Sequence, residues 1–201
     1  TNTIGVLIGD DTVIFKYQFP STVGVVAGIP GESGFTVGIE GVSKVAKVVG
    51  IAADPTDSNV FYFCSQDTPT TSAIGKLTLS TSTVSAVKQN IDCNGIIADA
   101  TSGTTYLWVT ASTGSVTKYS TTGTVSATLS VSNVEAATIH PVSGHLWLVL
   151  TNNTIYSHNQ FDSTYKFITG TGAVPTTSSD LIGAVSGTTK IDGSIKQLSF
   201  D

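Results

Sequence analysis

The sequence predicts an all-β protein built from repeats, and three observations lead to this prediction. Ser and Thr supply more than a quarter of the 201 residues, while strong helix formers are scarce. Because Val, Ile and Thr favour pleated strands, this composition is typical of sheets. Only 11% of the residues are charged and the mean hydropathy is +0.23, which argues against disorder. Finally, a unit of four short strands recurs along the chain in imperfect copies.

The clearest copy of the repeated unit spans residues 47–89. An apolar first strand, residues 48–53, ends at Asp54 and is followed by a turn rich in Asp, Pro and Ser. An aromatic second strand follows at residues 60–65. Two further strands are predicted at residues 74–79 and 84–88. The unbroken apolar character of the first strand predicts burial on both of its faces.

Two further copies keep the same register. The first strand of each copy ends at a polar residue, namely Asp54, Asp99 or His140, and these are 45 and 41 residues apart. Four strands in about 40–45 residues is the spacing of a propeller blade, whereas tetratricopeptide and ankyrin repeats need helices. The sequence therefore predicts a β-propeller of four-stranded blades, four or five in number with five favoured. An irregular β-sandwich is the alternative.

The whole chain, residues 1–201, is predicted to form one propeller domain. The N-terminal piece reads as the last three strands of a blade, and the C-terminal piece as a first strand with two shorter ones. The two ends are therefore expected to close the ring together, which removes exposed sheet edges. Full blades are expected at about residues 47–92, 93–133 and 134–176, and partial blades at residues 2–28 and 180–201.

Residues 28–41 carry five glycines and one proline. So many breakers predict an extended loop with several backbone positions at positive φ. The spacing differs from that of a phosphate-binding loop, and no Gly-Lys-Ser/Thr sequence follows. We therefore favour a structural connector over a nucleotide site.

With the repeat established, the chain resembles the NHL-type β-propellers. The resemblance is carried by TVGVVAGIPGESGF at residues 22–35 and by VVGIAADPTDSNVFYFC at residues 48–64. NHL sequences pair a V-V-A-G strand end with a later G-I-A-x-D strand, which residues 50–54 match and residues 95–99, with Ile97 in the third place, fit closely. The resemblance implies a propeller over most of the chain and leaves the function open, because propellers host many activities. The chain departs from the family in having no Arg, which NHL proteins commonly place in the third strand.

Asp54, Asp99 and His140 are the candidate metal or ligand residues, because first strands line the central channel of a propeller. Carboxylates and an imidazole that converge there could hold a metal ion or a polar substrate. Lactonase-type propellers, which resemble this fold, use a carboxylate-rich metal site. The competing interpretation is that these residues begin turns, as the following Pro55 and Pro141 indicate. We favour turns, and predict no catalytic residue, no metal and no cofactor.

The histidines and tryptophans give no compact site in the sequence. His140, His145 and His158 match no metal-binding motif, and we expect them to be exposed or locally bonded. Trp108 and Trp147 occupy equivalent second strands and could stack on sugar rings. Because both strands are apolar throughout, we favour packing between blades.

Three features favour a secreted or cell-surface protein. Cys64 and Cys93 could form a disulfide in an oxidising compartment, which would join neighbouring blades, or remain two buried thiols. Asn152-Asn153-Thr154 is an N-glycosylation sequon between two strand-like runs, which makes Asn152 the predicted acceptor. The chain contains no Met, so Thr1 is either a processed end or the boundary of a fragment.

The composition also argues against two kinds of partner, nucleic acids and the membrane interior. The net charge is −5 and the nine basic residues are scattered Lys, which argues against nucleic-acid binding. No apolar run approaches the ~18 residues of a membrane helix, so no membrane insertion is expected.

The favoured function is a secreted, non-enzymatic structural or adhesive module that is glycosylated. We expect it to self-assemble into an extracellular polymer or surface layer, with other protein subunits, above all copies of itself, as its partners and glycans as further partners. The alternatives are a lectin-like propeller that binds carbohydrate or another ligand and, third, a metal-dependent hydrolase of the lactonase kind.

Overall fold

A computed structural model describes residues 5–18, 22–68, 71–100, 102–129, 131–152 and 154–169. Within these ranges the chain forms sixteen β-strands and no helix, which confirms the all-β prediction. It follows that the described part has no helix with the length and apolarity needed to cross a membrane. The predicted partial blade at residues 180–201, and the end of the predicted blade at 134–176, lie outside the described residues.

The strands form four antiparallel sheets. The first sheet contains β1 (Gly5–Gly9), β2 (Val13–Gln18) and β3 (Thr22–Gly28). The second contains β4 (Gly38–Ile39), β5 (Lys47–Asp54), β6 (Asp57–Thr68), β7 (Thr71–Thr78) and β8 (Thr83–Ile91). The third contains β9 (Gly95–Asp99), β10 (Tyr106–Thr110), β11 (Val116–Ser120) and β12 (Val125–Leu129). The fourth contains β13 (Val134–Ile139), β14 (Leu146–Leu150), β15 (Ile155–Asn159) and β16 (Thr164–Thr169).

Strands follow one another in chain order across each sheet, except that β4 adds to the outer edge of β8. The first strands β5, β9 and β13 are neighbours from sheet to sheet, as the inner strands of successive blades are. The Val48 N–H of β5 donates to the Asp10 carbonyl in the β1–β2 turn at 3.1 Å. The Val134 N–H of β13 donates to the Gly114 carbonyl in the β10–β11 turn at 3.0 Å. By this repeated link, β1 and β2 hold the same places relative to β5 as β10 and β11 hold relative to β13.

The core lies between the sheets. On β6, Val60, Tyr62 and Cys64 contact the core shared with the third sheet, while Phe61 and Phe63 contact the core shared with the first sheet. Successive side chains of a strand point to opposite faces, so a strand between two packed sheets reads as a continuous apolar run. The second and third sheets each pack on two neighbouring sheets. Such a row of packed sheets is the arrangement of propeller blades, and it differs from a two-sheet sandwich.

The two tryptophans lie in different surroundings. Trp108 of β10 is 1% exposed and packs in the core between the third and fourth sheets, which confirms the packing prediction for this residue. Trp147 of β14 is half-buried, and its indole stacks on the His140 ring with 5.8 Å between ring centroids. Equivalent positions in the repeat are therefore not equally enclosed.

Residues 28–41 form the connector that their glycines predict, with one addition. All five glycines have positive φ, between 75° and 150°. At Gly28, where φ is 88°, a Cβ would also overlap the Thr12 carbonyl, so only glycine fits. The addition is the short strand β4, which pairs with Thr83 and Val84 of β8 and becomes the outer edge of the second sheet.

Candidate functional site

Asp54 lies at the end of the inner strand β5, where its carboxylate accepts four hydrogen bonds. The Thr56 N–H and hydroxyl donate at 2.9 and 2.8 Å, which forms a turn of the Asx type. The Tyr62 hydroxyl donates to the second carboxylate oxygen at 3.0 Å. The Thr105 hydroxyl, from the third sheet, donates at 3.0 Å. Asp54 therefore begins a turn and also ties the second sheet to the third.

These contacts shift the pKa values of both acidic partners. Burial raises the pKa of Asp54, but the hydrogen bonds from Thr56, Thr105 and Tyr62 favour the carboxylate and together hold the pKa below its usual value. Burial and the bond to Asp54 raise the pKa of Tyr62 far above its usual value, so its hydroxyl remains a donor. The arrangement is that of a structural clasp.

Replacing Asp54 with Asn should lower the free energy of unfolding by about 2–3 kcal/mol at neutral pH, because an amide cannot accept all four bonds. Since the folded pKa lies below 3.8, the carboxylate's contribution is present above about pH 4 and is lost as the pH falls through the folded pKa. Urea unfolding at pH 7 and pH 3 measures both effects. The exposed Asp67→Asn variant is the control, with an expected change within about 0.5 kcal/mol. Unchanged stability of Asp54→Asn at pH 7 would contradict the clasp.

Asp99 and His140, at the same position of the repeat, do not join Asp54 in one site. Asp99 ends β9 and is 3% exposed. His140 lies in the β13–β14 turn, where its Nδ1 accepts the Ser143 N–H at 3.2 Å. Across the described ranges, no group of three or more His, Cys, Asp or Glu side chains is placed to hold a metal ion. Asp54 and His140 are each bonded within their own turn. The structure therefore gives no support to a metal site formed jointly by Asp54, Asp99 and His140.

The inner strands do enclose a cleft of about 420 Å³ along the first halves of β5, β9 and β13. Its polar side chains are Asn94, Thr110 and Glu135. The rest of the wall is small or aliphatic: Val49, Gly50, Ile51, Gly95, Ile96, Ile97, Ala136 and Ala137. Most of β5 is only half-buried, where burial on both faces was expected, and three of its half-buried residues, Val49, Gly50 and Ile51, line the cleft. The sequence analysis missed Glu135. The available signal was its position in the repeat, because Glu135 comes one residue before Ala136, the equivalent of Gly50 and Gly95.

Lys118 of β11 connects the third and fourth sheets. Its ammonium donates to Gln160 Oε1 at 2.9 Å, and the Gln160 amide nitrogen donates to the Gly144 carbonyl at 2.6 Å. The ammonium also lies 4.4 Å from the Tyr106 ring centroid and 5.1 Å from that of Trp108, which are cation–π contacts. Burial lowers the pKa of Lys118, and the charge of Asp99 acts in the opposite direction. This second clasp was absent from the sequence prediction because it depends on turns in a neighbouring sheet.

His158 of β15 is buried and bonds to the backbone of Thr164 across the β15–β16 turn, so of the two predicted settings, exposed or locally bonded, the structure shows the local bond. The side chain is 3% exposed, and its ring centroid lies 4.6 Å from that of Tyr165 and 6.2 Å from that of Trp108. His158 is the next-to-last residue of β15, and its ring faces Trp108 of the third sheet. Burial lowers the pKa of His158 to about 4, while the backbone bond to Thr164 and the charge of Asp162 act in the opposite direction.

Cys64 of β6 and Cys93, two residues before β9, form a disulfide. Their Cα atoms are 5.7 Å apart, which is within the usual range for a bridge. Both cysteines are fully buried in the core between the second and third sheets. The bridge therefore joins neighbouring sheets at the same interface as the Asp54 clasp.

The predicted glycosylation site lies in the β14–β15 turn. Asn152 is exposed, and its side-chain oxygen accepts the Thr154 N–H at 3.2 Å. An exposed acceptor side chain is compatible with an attached glycan, and the modification itself stays a prediction.

The chain matches no protein-family model. No curated protein is significantly similar to it. It is similar to a chain in the crystal structure of a nidogen/laminin complex, with a TM-score of 0.61, 16% identity, and coverage of 81% of this chain and 60% of that one. An auxiliary nutrient binding protein from Bacteroides thetaiotaomicron matches with a TM-score of 0.55, 16% identity, and coverage of 80% and 37%. The WD40 β-propeller domain of Doa1 matches with a TM-score of 0.53, 11% identity, and coverage of 78% and 48%.

At these identities the likenesses show the fold alone. The chain is a β-propeller, as its sequence predicts, and four or five blades agree with the four sheets of the described residues. The NHL class stays a prediction. Because the chain spans between 37% and 60% of the matched chains, the activities and partners of those proteins are not carried over to it.

Proposed function

We propose that the chain is a secreted, non-enzymatic structural and adhesive propeller that binds other protein subunits, above all copies of itself. The observation that carries this proposal is that Asp54, a candidate ligand residue in the sequence, uses its carboxylate in four bonds within the fold. The buried disulfide supports an oxidising, extracellular compartment. One matched structure is a complex of nidogen and laminin, which supports a role in binding protein.

The segment around β4 supplies a surface for self-association. Val37, Ile39 and Val42 are 53%, 57% and 59% exposed and lie within six residues of one another. They flank or belong to β4, the outermost strand of the second sheet in the described part of the chain. Grouped apolar side chains beside a sheet edge mark an interaction site. We call residues 37–42 the apolar edge and assign the contact between copies to it.

Light scattering of the full chain over a concentration series tests this assignment. The mean mass should rise above that of a monomer, and replacing Val37, Ile39 and Val42 with Ser together should return it to the monomer. Val142→Ser is the matched control, because Val142 is 90% exposed in the β13–β14 turn, away from the apolar edge. A monomer at every concentration would reject self-association, whereas assembly that survives the triple variant would reject the apolar edge as its surface.

The inner cleft favours a second candidate function, the binding of a carbohydrate or another small polar ligand. Glu135, Asn94 and Thr110 offer acceptors and donors that suit hydroxyl groups, in a space of about 420 Å³. A glycan array should give binding that weakens in Glu135→Gln, and an array without signal would remove the lectin version.

A further inference from the structure

The two residues that define the sequon lie in opposite surroundings. Asn152 is exposed, whereas Thr154 is 0% exposed. The Thr154 N–H is bonded to the Asn152 side chain at 3.2 Å, and the Thr154 carbonyl accepts the Leu150 N–H at 2.9 Å. The next residues, Ile155 and Tyr156, are 7% and 0% exposed and belong to β15. The chain thus enters the core at the threonine of the sequon.

N-glycosylation requires that an enzyme reach the asparagine amide and the threonine hydroxyl in one accessible segment. Thr154 comes directly before β15, so access to its hydroxyl in the folded protein would require the start of β15 to separate from the fourth sheet. That movement would break the pairing of Ile155 with Val149 of β14 and with Thr169 of β16, and would expose the buried side chains of Ile155 and Tyr156. Such a local opening costs free energy, because it removes strand pairing and buried apolar contacts.

We propose that Asn152 is glycosylated only before the fourth sheet folds, so that the glycan is attached during synthesis or export and not to the finished propeller. The donor is a lipid-linked oligosaccharide. The Asn152 amide nitrogen bonds to the anomeric carbon and loses one proton, while the bond from that carbon to the lipid phosphate oxygen breaks and the electron pair leaves with the phosphate. This inference rests on the proposed function, since it takes the chain to be secreted and glycosylated.

The test supplies an N-glycosylating enzyme and its lipid-linked donor to the full chain at two times. In one arm the enzyme is present during translation, and in the other it is added after folding and disulfide formation. A Ser102→Asn variant provides the matched control, because positions 102 to 104 then form a sequon whose first and third residues are both exposed. Occupancy is measured by mass spectrometry of glycopeptides, with Asn152→Gln to assign the natural site.

Occupancy of Asn152 should be at least tenfold lower in the second arm than in the first, while the introduced site at position 102 is modified in both. Equal occupancy of Asn152 in both arms would overturn the inference. If Asn152 is unmodified in both arms while the control site is modified, the inference falls together with the glycan, and self-association remains testable by light scattering.

Discussion

Replacing Cys64 and Cys93 together with Ala should lower the free energy of unfolding by about 3–4 kcal/mol. The bridge spans 29 residues, and the chain-entropy relation for a loop of this length gives a loss of that size. The bridge also joins the second sheet to the third in the core that the two sheets share. Urea unfolding of the oxidised wild type and of the double variant measures the difference.

A reductant separates the effect of the bridge from that of the side chains. When the wild type is unfolded and then refolded in dithiothreitol, its free energy of unfolding should fall almost to that of the double variant. The reductant should leave the stability of the variant unchanged. Because both sulfurs are fully buried, the reductant should act on the folded wild type only slowly. Equal stability of oxidised wild type and double variant would show that the bridge does not support the interface.

Acid should destabilise the protein through His158 between pH 6.5 and pH 4. The folded pKa of about 4 lies below the usual 6.5, because burial disfavours the imidazolium. Stability is therefore complete above about pH 6.5 and falls as the pH drops to the folded pKa, since unfolding then takes up a proton. This difference between the usual and the folded pKa corresponds to a loss of roughly 3 kcal/mol in the free energy of unfolding.

His158→Phe should flatten the pH dependence in this window, because the variant keeps an aromatic ring between Trp108 and Tyr165 and cannot titrate. Val142→Ser is the control and should retain the slope, because Val142 is 90% exposed in the β13–β14 turn and its replacement removes no titratable group. Unfolding by urea at pH 7, 6, 5 and 4 gives the slopes, and NMR titration gives the pKa. A His158 pKa near 6.5 would contradict its burial.

The fold was predictable because local chemistry and repeat spacing agree. Strand segments rich in β-branched and aromatic residues are separated by turn residues, and the set of four strands recurs about every 40–45 residues, which is typical of a propeller blade. Asp54 followed by Pro55 signalled a turn, and Asp54 does accept the backbone N–H of Thr56. For Cys64 and Cys93 the sequence left two possibilities open, a disulfide or two buried thiols. Sequence spacing alone cannot give the distance between two cysteines in the fold.

Features that depend on contacts between sheets were not predictable. The Thr105 hydroxyl reaches Asp54 across 51 residues, and Lys118 reaches Gln160 across 42, so neither clasp leaves a local pattern. The burial of His158 follows from the inward face of β15 and the packing of Trp108, which a turn-adjacent position does not reveal. Glu135 belongs to the cleft only because three inner strands meet there.

Electron microscopy of the purified full chain distinguishes a self-associating propeller from any other arrangement of these sheets. We expect ring-shaped particles joined into larger assemblies, and separate rings when Val37, Ile39 and Val42 are replaced with Ser. Isolated particles of the wild-type chain at every concentration, or particles without a ring shape, would contradict the self-assembling propeller.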